Sequence, residues 1–175
     1  FRPTPQAGEG SKGVSLDGAA NLSNLAARLP GVTIPPAGFE VDATLEEGYQ
    51  DLVVRRRPLR AVIRDGAMFE FRNLALSLPD GGRLAFAGPL EIGSDGLLSG
   101  KIRVGVSKPE SVSRWAGAID PRLAQMVGLI AQGVAGMGKP TRFGTVEVPS
   151  IIITIDRGQA RMGFIQLGDP IAPLF

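Results

Sequence analysis

The sequence predicts an α+β domain in which a strongly curved antiparallel β-sheet of meander order wraps around a helix pair. Three observations carry this expectation. Short segments of alternating apolar and polar residues run from Phe39 to Ser107, closed by Asp-Gly and Gly-Gly turns. One helical stretch, Pro109 to Gly138, interrupts the alternation, which then resumes to a Pro-rich end. With 24 Gly and 14 Pro in 175 residues, the chain is punctuated for many short elements. Strands joined by such short turns pair antiparallel, because parallel pairing needs a crossover of about a dozen residues.

The elements follow in order. Residues 1–13 are Pro, Gly and polar, and are expected to form a flexible segment ahead of a single domain over 14–175. Val14 to Leu16 begins a short strand. Leu22, Leu25, Ala26 and Leu29 stand at helical spacing and predict a helix over Asn21 to Leu29, stopped by Pro30-Gly31. Pro35-Pro36 separates it from the sheet. Phe39, Val41, Ala43 and Leu45 alternate with Glu40, Asp42, Thr44 and Glu46, as in a strand with one wet face. Leu52 and Val54 precede the arginine run. Leu59, Ala61 and Ile63 then predict a strand entering a hairpin at Asp65-Gly66. Beyond Phe69 and Phe71 the alternation slips at Asn73, and Leu74, Leu76 and Leu78 take over, which signals a β-bulge or a bend in a curved strand. Turns at Pro79-Asp80-Gly81-Gly82 and Ser94-Asp95-Gly96 bound the next two strands.

Pro109 suits a first helical position, and Asp120-Pro121 restarts the helix as N-cap and first residue. Leu123, Met126, Val127, Ile130 and Val134 form an apolar stripe. Ala124, Gly128, Ala131 and Ala135 form a second, small-residue face, and a helix apolar on two sides is expected to sit inside a concave sheet. Gly136 and Gly138 end it. A last hairpin pairs Val146–Ile155 with Ala160, Met162 and Phe164 around Asp156-Arg157-Gly158. The tail from Leu167 to Phe175 is too apolar to hang free and is expected to pack along the sheet.

Composition excludes several kinds of chemistry. The chain has no cysteine and no histidine, which removes disulfides, thiolate nucleophiles, imidazole bases and Cys- or His-ligated metals. Neither a metal nor a cofactor is expected. A formal charge of +2 is too weak to mark a nucleic-acid partner. At this length a domain buries roughly 70% of its unfolded surface, enough for a core without staples. Leu123 to Gly138 is the longest uncharged run of the helical region. It is shorter than the roughly 20 residues that span a bilayer.

No residue pattern marks a catalytic site. Glu40, Asp42 and Glu46 share the outward face of one strand and read as a solvated face. Convergence of three or more of Asp17, Asp42, Asp65, Asp80, Glu91 and Asp120 in one pocket would instead point to an enzyme. Gly8-Glu9-Gly10-Ser11-Lys12-Gly13 matches the dinucleotide-binding glycine spacing but follows no strand and opens no helix. Arg55, Arg56 and Arg57 form the one sharp charge feature. They read either as an anionic contact, with lipid headgroups or a polyanion, or as charges guarding an edge strand. Trp115 reads as a core plug. The chain also has more apolar residues than one sheet face and one helix pair need. Leu84, Phe86, Leu90, Ile102 and Val104 on strands, with Leu123, Ile130 and Val134 on the helix, are the candidate apolar lining. Either they enclose a lipid chain, or the helix fills the concavity.

From Phe71 to Phe175 the chain resembles a known family. The unit Leu74–Leu78, Leu84-Ala85-Phe86-Ala87-Gly88-Pro89-Leu90-Glu91-Ile92 and Asp95-Gly96-Leu97-Leu98-Ser99-Gly100-Lys101-Ile102 is similar to its strand grammar. The closing stretch Leu167-Gly168-Asp169-Pro170-Ile171-Ala172-Pro173-Leu174 is similar to its end, with Asp169 where the family tends to have Pro. The sequence thus resembles the C-terminal half of an uncharacterised alphaproteobacterial family of membrane-anchored envelope proteins, with sheet units similar to AsmA-like proteins. The resemblance implies a periplasmic location, anchored to the inner membrane through a segment outside this sequence. It supplies no catalytic residues. The expected function is therefore non-enzymatic, as an envelope protein that binds lipid or another apolar ligand in the concave sheet face. The alternative is a protein–protein interaction or scaffold module with a closed core, using sheet edges or the tail.

Overall fold

The computed structural model describes residues 2–4, 14–29 and 32–175. The glycine-rich stretch 8–13 and the Pro30-Gly31 pair lie outside the described residues. The fold is α+β, with a large antiparallel meander sheet packed against a helix pair. The strands are β1 (Arg2–Thr4), β2 (Ser15–Leu29), β3 (Val32–Leu45), β4 (Ala67–Ser77), β5 (Arg83–Ile92), β6 (Leu98–Ser107), β7 (Lys139–Phe143), β8 (Val146–Asp156), β9 (Gln159–Met162) and β10 (Ile165–Gln166). They pair in chain order from β1 to β6, then β8, β9 and β10, with β7 beside β8. The helices are α1 (Leu59–Arg64), α2 (Pro109–Ile119) and α3 (Pro121–Met137), preceded by a π-helical turn over Tyr49–Val54.

Cross-strand pairing builds one continuous apolar face. Val41 pairs with Leu74, Leu74 with Phe86, Phe86 with Val104 and Val104 with Ile151. The next row runs from Ala43 to Phe71 to Gly88. Helix α2 lies over β3, β5 and β6, and α3 over β6 and β8. Val112, Val127, Ile130 and Val134 bury against Val104, Val106, Ile151 and Ile153. As expected, Pro109 and Pro121 open the two helices, and the Asp120 side chain accepts from Arg122 N–H at 2.8 Å. Trp115 is part-buried beside this core, with its indole N–H donating to the Pro35 carbonyl at 3.1 Å.

The expected strong curvature is not found, because the helix pair packs on the sheet from one side and the sheet is not strongly curled. The small-residue face of α3 explains the difference. A Cβ added at Gly128 would meet nothing within 4 Å, Ala135 is exposed, and Ala124 faces Gly117 of α2. These small residues face the neighbouring helix and open space, so no sheet closes over them.

Other elements also depart from the sequence reading. Asn21 to Leu29 is strand, not helix, as it is part of β2 paired with β3. Its leucine spacing of three and four comes from two register shifts in that pairing, between Leu22, Leu25 and Ala27. Pro35 and Pro36 lie inside β3 instead of separating segments. Leu52 to Ile63 forms no strand, being helical at Tyr49–Val54 and Leu59–Arg64 with a non-helical link at 55–58, and Asp65-Gly66 closes α1, with Gly66 at φ +101°. The arginine run therefore guards no edge strand. Arg2–Thr4 forms a short strand on β2, and the remainder of the segment expected to be flexible, residues 1 and 5–13, lies outside the described residues. Phe164 is fully exposed at a turn and does not return into the core. The slip at Asn73 is a bulge, with Asp42 opposite Asn73 but Ala43 opposite Phe71, leaving Arg72 as the extra residue. The tail does pack along the sheet turns. Ile171 N–H donates to the Gly158 carbonyl at 2.8 Å and Leu174 N–H to the Gly96 carbonyl at 3.1 Å.

The reverse face is polar at one end and carries a second, smaller core at the other. The bulge presents Arg72 and Asn73 together to the acidic side chains that the alternation placed outward. Arg72 pairs with Asp17 at 3.0 Å and with Asp42. Glu40 accepts from Asn73 at 3.1 Å and from Arg83 at 2.9 Å. Farther along, Ala75, Ala85 and Gly105 stand opposite one another on β4, β5 and β6 and leave a shallow trough. The β7–β8 hairpin folds Phe143 into it, where the ring is fully buried.

Candidate functional site

The apolar face is not fully covered. Its floor beside the π-helical turn is made of rows that pair across β2, β3 and β4: Leu16 with Leu45 and Phe69, Gly18 with Ala43, and Ala20 with Val41. Small residues at Gly18, Ala20 and Ala43 keep this floor low. Leu52, Val53 and Leu59 overhang it, and the space between is a groove of about 500 Å³ with an almost wholly apolar lining. That volume falls within the roughly 300–1,000 Å³ of small-molecule sites.

The overhang is held firmly at its inner side. Leu45, Val62 and Ala67 bury together, with Leu52, Ile63 and Phe69 packed on them. Phe69 stacks on Phe71, with ring centroids 5.8 Å apart. Tyr49 N–H donates to the Val14 carbonyl at 3.1 Å, tying the turn to the start of β2. Arg55 donates to Asp51 at 3.0 Å, and Arg57 bridges Asp51, at 3.4 Å, and Asp65. The hydrogen bond from Arg55 holds the Asp51 carboxyl below its usual range, with Arg57 adding to the effect, so it stays a carboxylate. Of the three arginines singled out in the sequence, two thus clamp the overhang. Arg56 lies between them, exposed, at φ +52°.

The eight residues expected to line a cavity are brought together, but in the layer between helices and sheet. Val104, Ile130 and Val134 are buried there, and Leu84, Phe86, Leu90, Ile102 and Leu123 are half-buried against them. The groove is lined by none of these eight. Sequence reasoning missed this floor because it gave β2 only a short strand from Val14 and a helix from Asn21, so Gly18 and Ala20 between them were never placed beside Ala43 and Val41. The signal was the outward Glu40, Asp42 and Glu46, which leave Val41, Ala43 and Leu45 needing a cover.

The carboxylates are dispersed. Asp17 and Asp42 share Arg72 on the reverse face, Asp80 closes a turn by accepting from Gly82 N–H at 3.1 Å, and Asp120 caps α3. Asp65 and Glu91 do meet, in a cleft of about 450 Å³ with Glu46, Glu47 and Asp51, where Arg57 occupies Asp51 and Asp65. Among the described residues no group of three acidic side chains is placed to hold a metal ion. No helix among them is long and apolar enough to cross a membrane.

The sequence matches, over residues 1–170, the family described as uncharacterized protein conserved in bacteria (DUF2125). The chain belongs to the DUF2125 family. Searches of curated proteins and of solved structures find no match. The family match reaches well before Phe71, where the resemblance seen in the sequence begins, and so takes in the whole groove. In this DUF2125 protein the groove, its overhang and the sheet beneath all lie inside the family's span.

Proposed function

We propose that this protein is a non-enzymatic binder of a lipid or another apolar ligand, held in the groove between β2–β3 and the overhang of residues 49–64. The observation that carries this reading is the groove itself, about 500 Å³ walled by aliphatic and aromatic side chains, with small residues where larger ones would fill it. A folded chain gains by burying such surface, at roughly 25 cal/mol per Å². Leaving it open is therefore a cost that ligand binding recovers. The sequence has no histidine or cysteine, and Arg55, Arg57 and Arg72 engage Asp51, Asp65 and Asp42, while Glu46, Glu47 and Glu91, unpaired among the described residues, line a separate cleft on the other side of the overhang's base. We place the protein at the periplasmic face of the inner membrane, anchored through a segment outside this sequence, on its resemblance to alphaproteobacterial envelope proteins and AsmA-like sheet units.

Native mass spectrometry of protein purified from cells tests the binding. Bound lipid is expected with the native chain and is expected to fall at least tenfold in Ala20→Phe. Position 20 lines the groove and is exposed, so a phenyl ring there fills the space without disturbing the buried core. Equal lipid on both proteins, or none on the native chain, would sink the reading.

A protein-contact reading draws on a different observation. Phe164 is fully exposed, and Ile165, Leu174 and Phe175 are 53%, 54% and 44% exposed near the same end of the chain. A scaffold role through this end predicts that Phe164→Ser abolishes partner pull-down and leaves bound lipid unchanged.

A further inference from the structure

We propose that the segment Tyr49–Arg64 is a docking surface for an anionic phospholipid bilayer. Val53, Val54 and Leu59 enter the boundary of the acyl region, and Arg56 and Arg60 meet headgroup phosphates. The proposal goes beyond ligand binding in the groove and does not depend on it.

Two properties of the segment coincide. Val53, Val54 and Leu59 are 46%, 57% and 50% exposed within seven residues, on an element that already buries its other side against Leu45 and Phe69. Isolated exposed aliphatics are ordinary, but a cluster on one projecting segment marks an interaction surface. The same segment is cationic. From Tyr49 to Asp65 it has five arginines (Arg55, Arg56, Arg57, Arg60 and Arg64) against two aspartates, a difference of +3, with no lysine or glutamate.

The structure divides these arginines by task. Arg55 and Arg57 neutralise Asp51 and Asp65 and fix the backbone. Arg64 lies over the Phe175 ring, 6.0 Å from its centroid. Arg56 and Arg60 are exposed and make no ion pair or side-chain hydrogen bond with the described residues. Arg56 adopts a left-handed backbone conformation between two helical turns.

Aliphatic side chains beside unengaged arginines are the composition of elements that lie in a membrane interface. Charge complementarity identifies the occupant. An anionic leaflet offers phosphates for the guanidinium groups and apolar chains for the aliphatic side chains. A polyanion such as nucleic acid leaves Val53, Val54 and Leu59 uncovered. Val53 and Leu59 also form the wall of the apolar groove, so the docked face opens directly onto it.

Vesicle flotation with the full chain tests the proposal. The protein is expected to float with phosphatidylglycerol–phosphatidylcholine vesicles, to stay with the soluble fraction beside pure phosphatidylcholine, and to be released by added salt. Arg56→Gln with Arg60→Gln is expected to weaken partitioning by about 30-fold, at roughly 1 kcal/mol per arginine. Val54→Ser, at an exposed position outside the groove lining, is expected to weaken it several-fold. Ala20→Phe is expected to float as the native chain does. Equal flotation with pure phosphatidylcholine, no flotation with either vesicle, or native flotation by the double arginine variant each overturns the proposal. So does salt-insensitive flotation of the native chain, a readout that needs no variant to fold. Lipid that co-purifies with a chain that does not float leaves the groove reading standing and removes this one. Flotation without co-purified lipid does the reverse.

Discussion

Phe143→Ala is expected to lower the stability of the whole domain by about 3–5 kcal/mol, the range for deleting a buried phenyl ring. Phe143 is fully buried although it lies in a five-residue strand whose other members are mostly exposed. Its ring is the only large side chain filling the trough of Ala75, Ala85 and Gly105 among the residues of that cluster. Truncation leaves a cavity that small residues cannot collapse into, and it loosens β7 from β4 and β5. For a chain of this size each kcal/mol shifts the melting temperature by about 2–4 °C, so a drop of about 10 °C is expected. The tight fit gives a second, independent test. A Cβ added at Gly105 would stand 2.5 Å from Val148 Cγ2 and 2.7 Å from Phe143 Cε2. Gly105→Ala should therefore cost about 1–3 kcal/mol by overpacking in the native chain. It should cost clearly less once Phe143 is alanine. The part of the cost that remains is set by Val148 Cγ2, the nearer atom, and full additivity in that cycle would mean that Val148 alone sets it.

This reverse-face core shows where the sequence was legible and where it was not. Alternation identified β3 from Phe39, β4, β5, β6 and β8, because outward Glu40, Asp42 and Lys101 leave little choice of face. The slip at Asn73 was readable as a bulge or a bend, and the register of β3 on β4 decides for the bulge. Ala75, Ala85 and Gly105 looked like outward positions of those strands. Nothing in their own segments says that a phenyl ring 38 residues beyond Gly105 comes to rest on them. Lys139–Phe143 itself has one apolar residue at its end and no alternation to announce a strand.

The two misread segments share one physical cause. Leu22, Leu25 and Ala26 fit helical spacing, and Leu59, Ala61 and Ile63 fit strand spacing, yet each adopts the other structure. In both, tertiary context overrides a short local pattern. β2 gains a long ladder with β3, and bulges absorb its mismatched leucines. The 59–64 segment gains burial of Val62 and the clamp of Arg57 on Asp51 and Asp65, and Pro58 opens its first turn. The groove lies between these two segments. Its floor and roof were therefore hidden together, although the apolar excess that implies a site was plain in the composition.

Gly88→Ala is expected to be the most damaging single-methyl addition in the sheet, at a cost of about 3 kcal/mol. Gly88 has φ +128°, a conformation that side chains with a Cβ rarely adopt, and holding one there costs on the order of 1–3 kcal/mol. The added methyl would also stand 2.6 Å from the Lys101 carbonyl oxygen and 3.3 Å from Ile102 Cα, both backbone atoms of the neighbouring strand. No rotamer change relieves that contact, so β5 must move away from β6. The site is already the weak point of the ladder. Pro89 lacks an N–H, the β5–β6 register has no pair between Ala87 and Leu90, and the β4 bulge falls at the same level. Gly88 also continues the row from Gly18 through Ala43 and Phe71, so a shift there reaches the floor of the groove. Gly128→Ala is the control of opposite sign. It adds a methyl in mid-helix with open space around it and is expected to stabilise by about 1 kcal/mol. Urea unfolding of the two variants, read as midpoint shifts at constant slope, separates these effects. A neutral Gly88→Ala would mean that the strand does not pass through this conformation, and the account of the bulge line would fail with it.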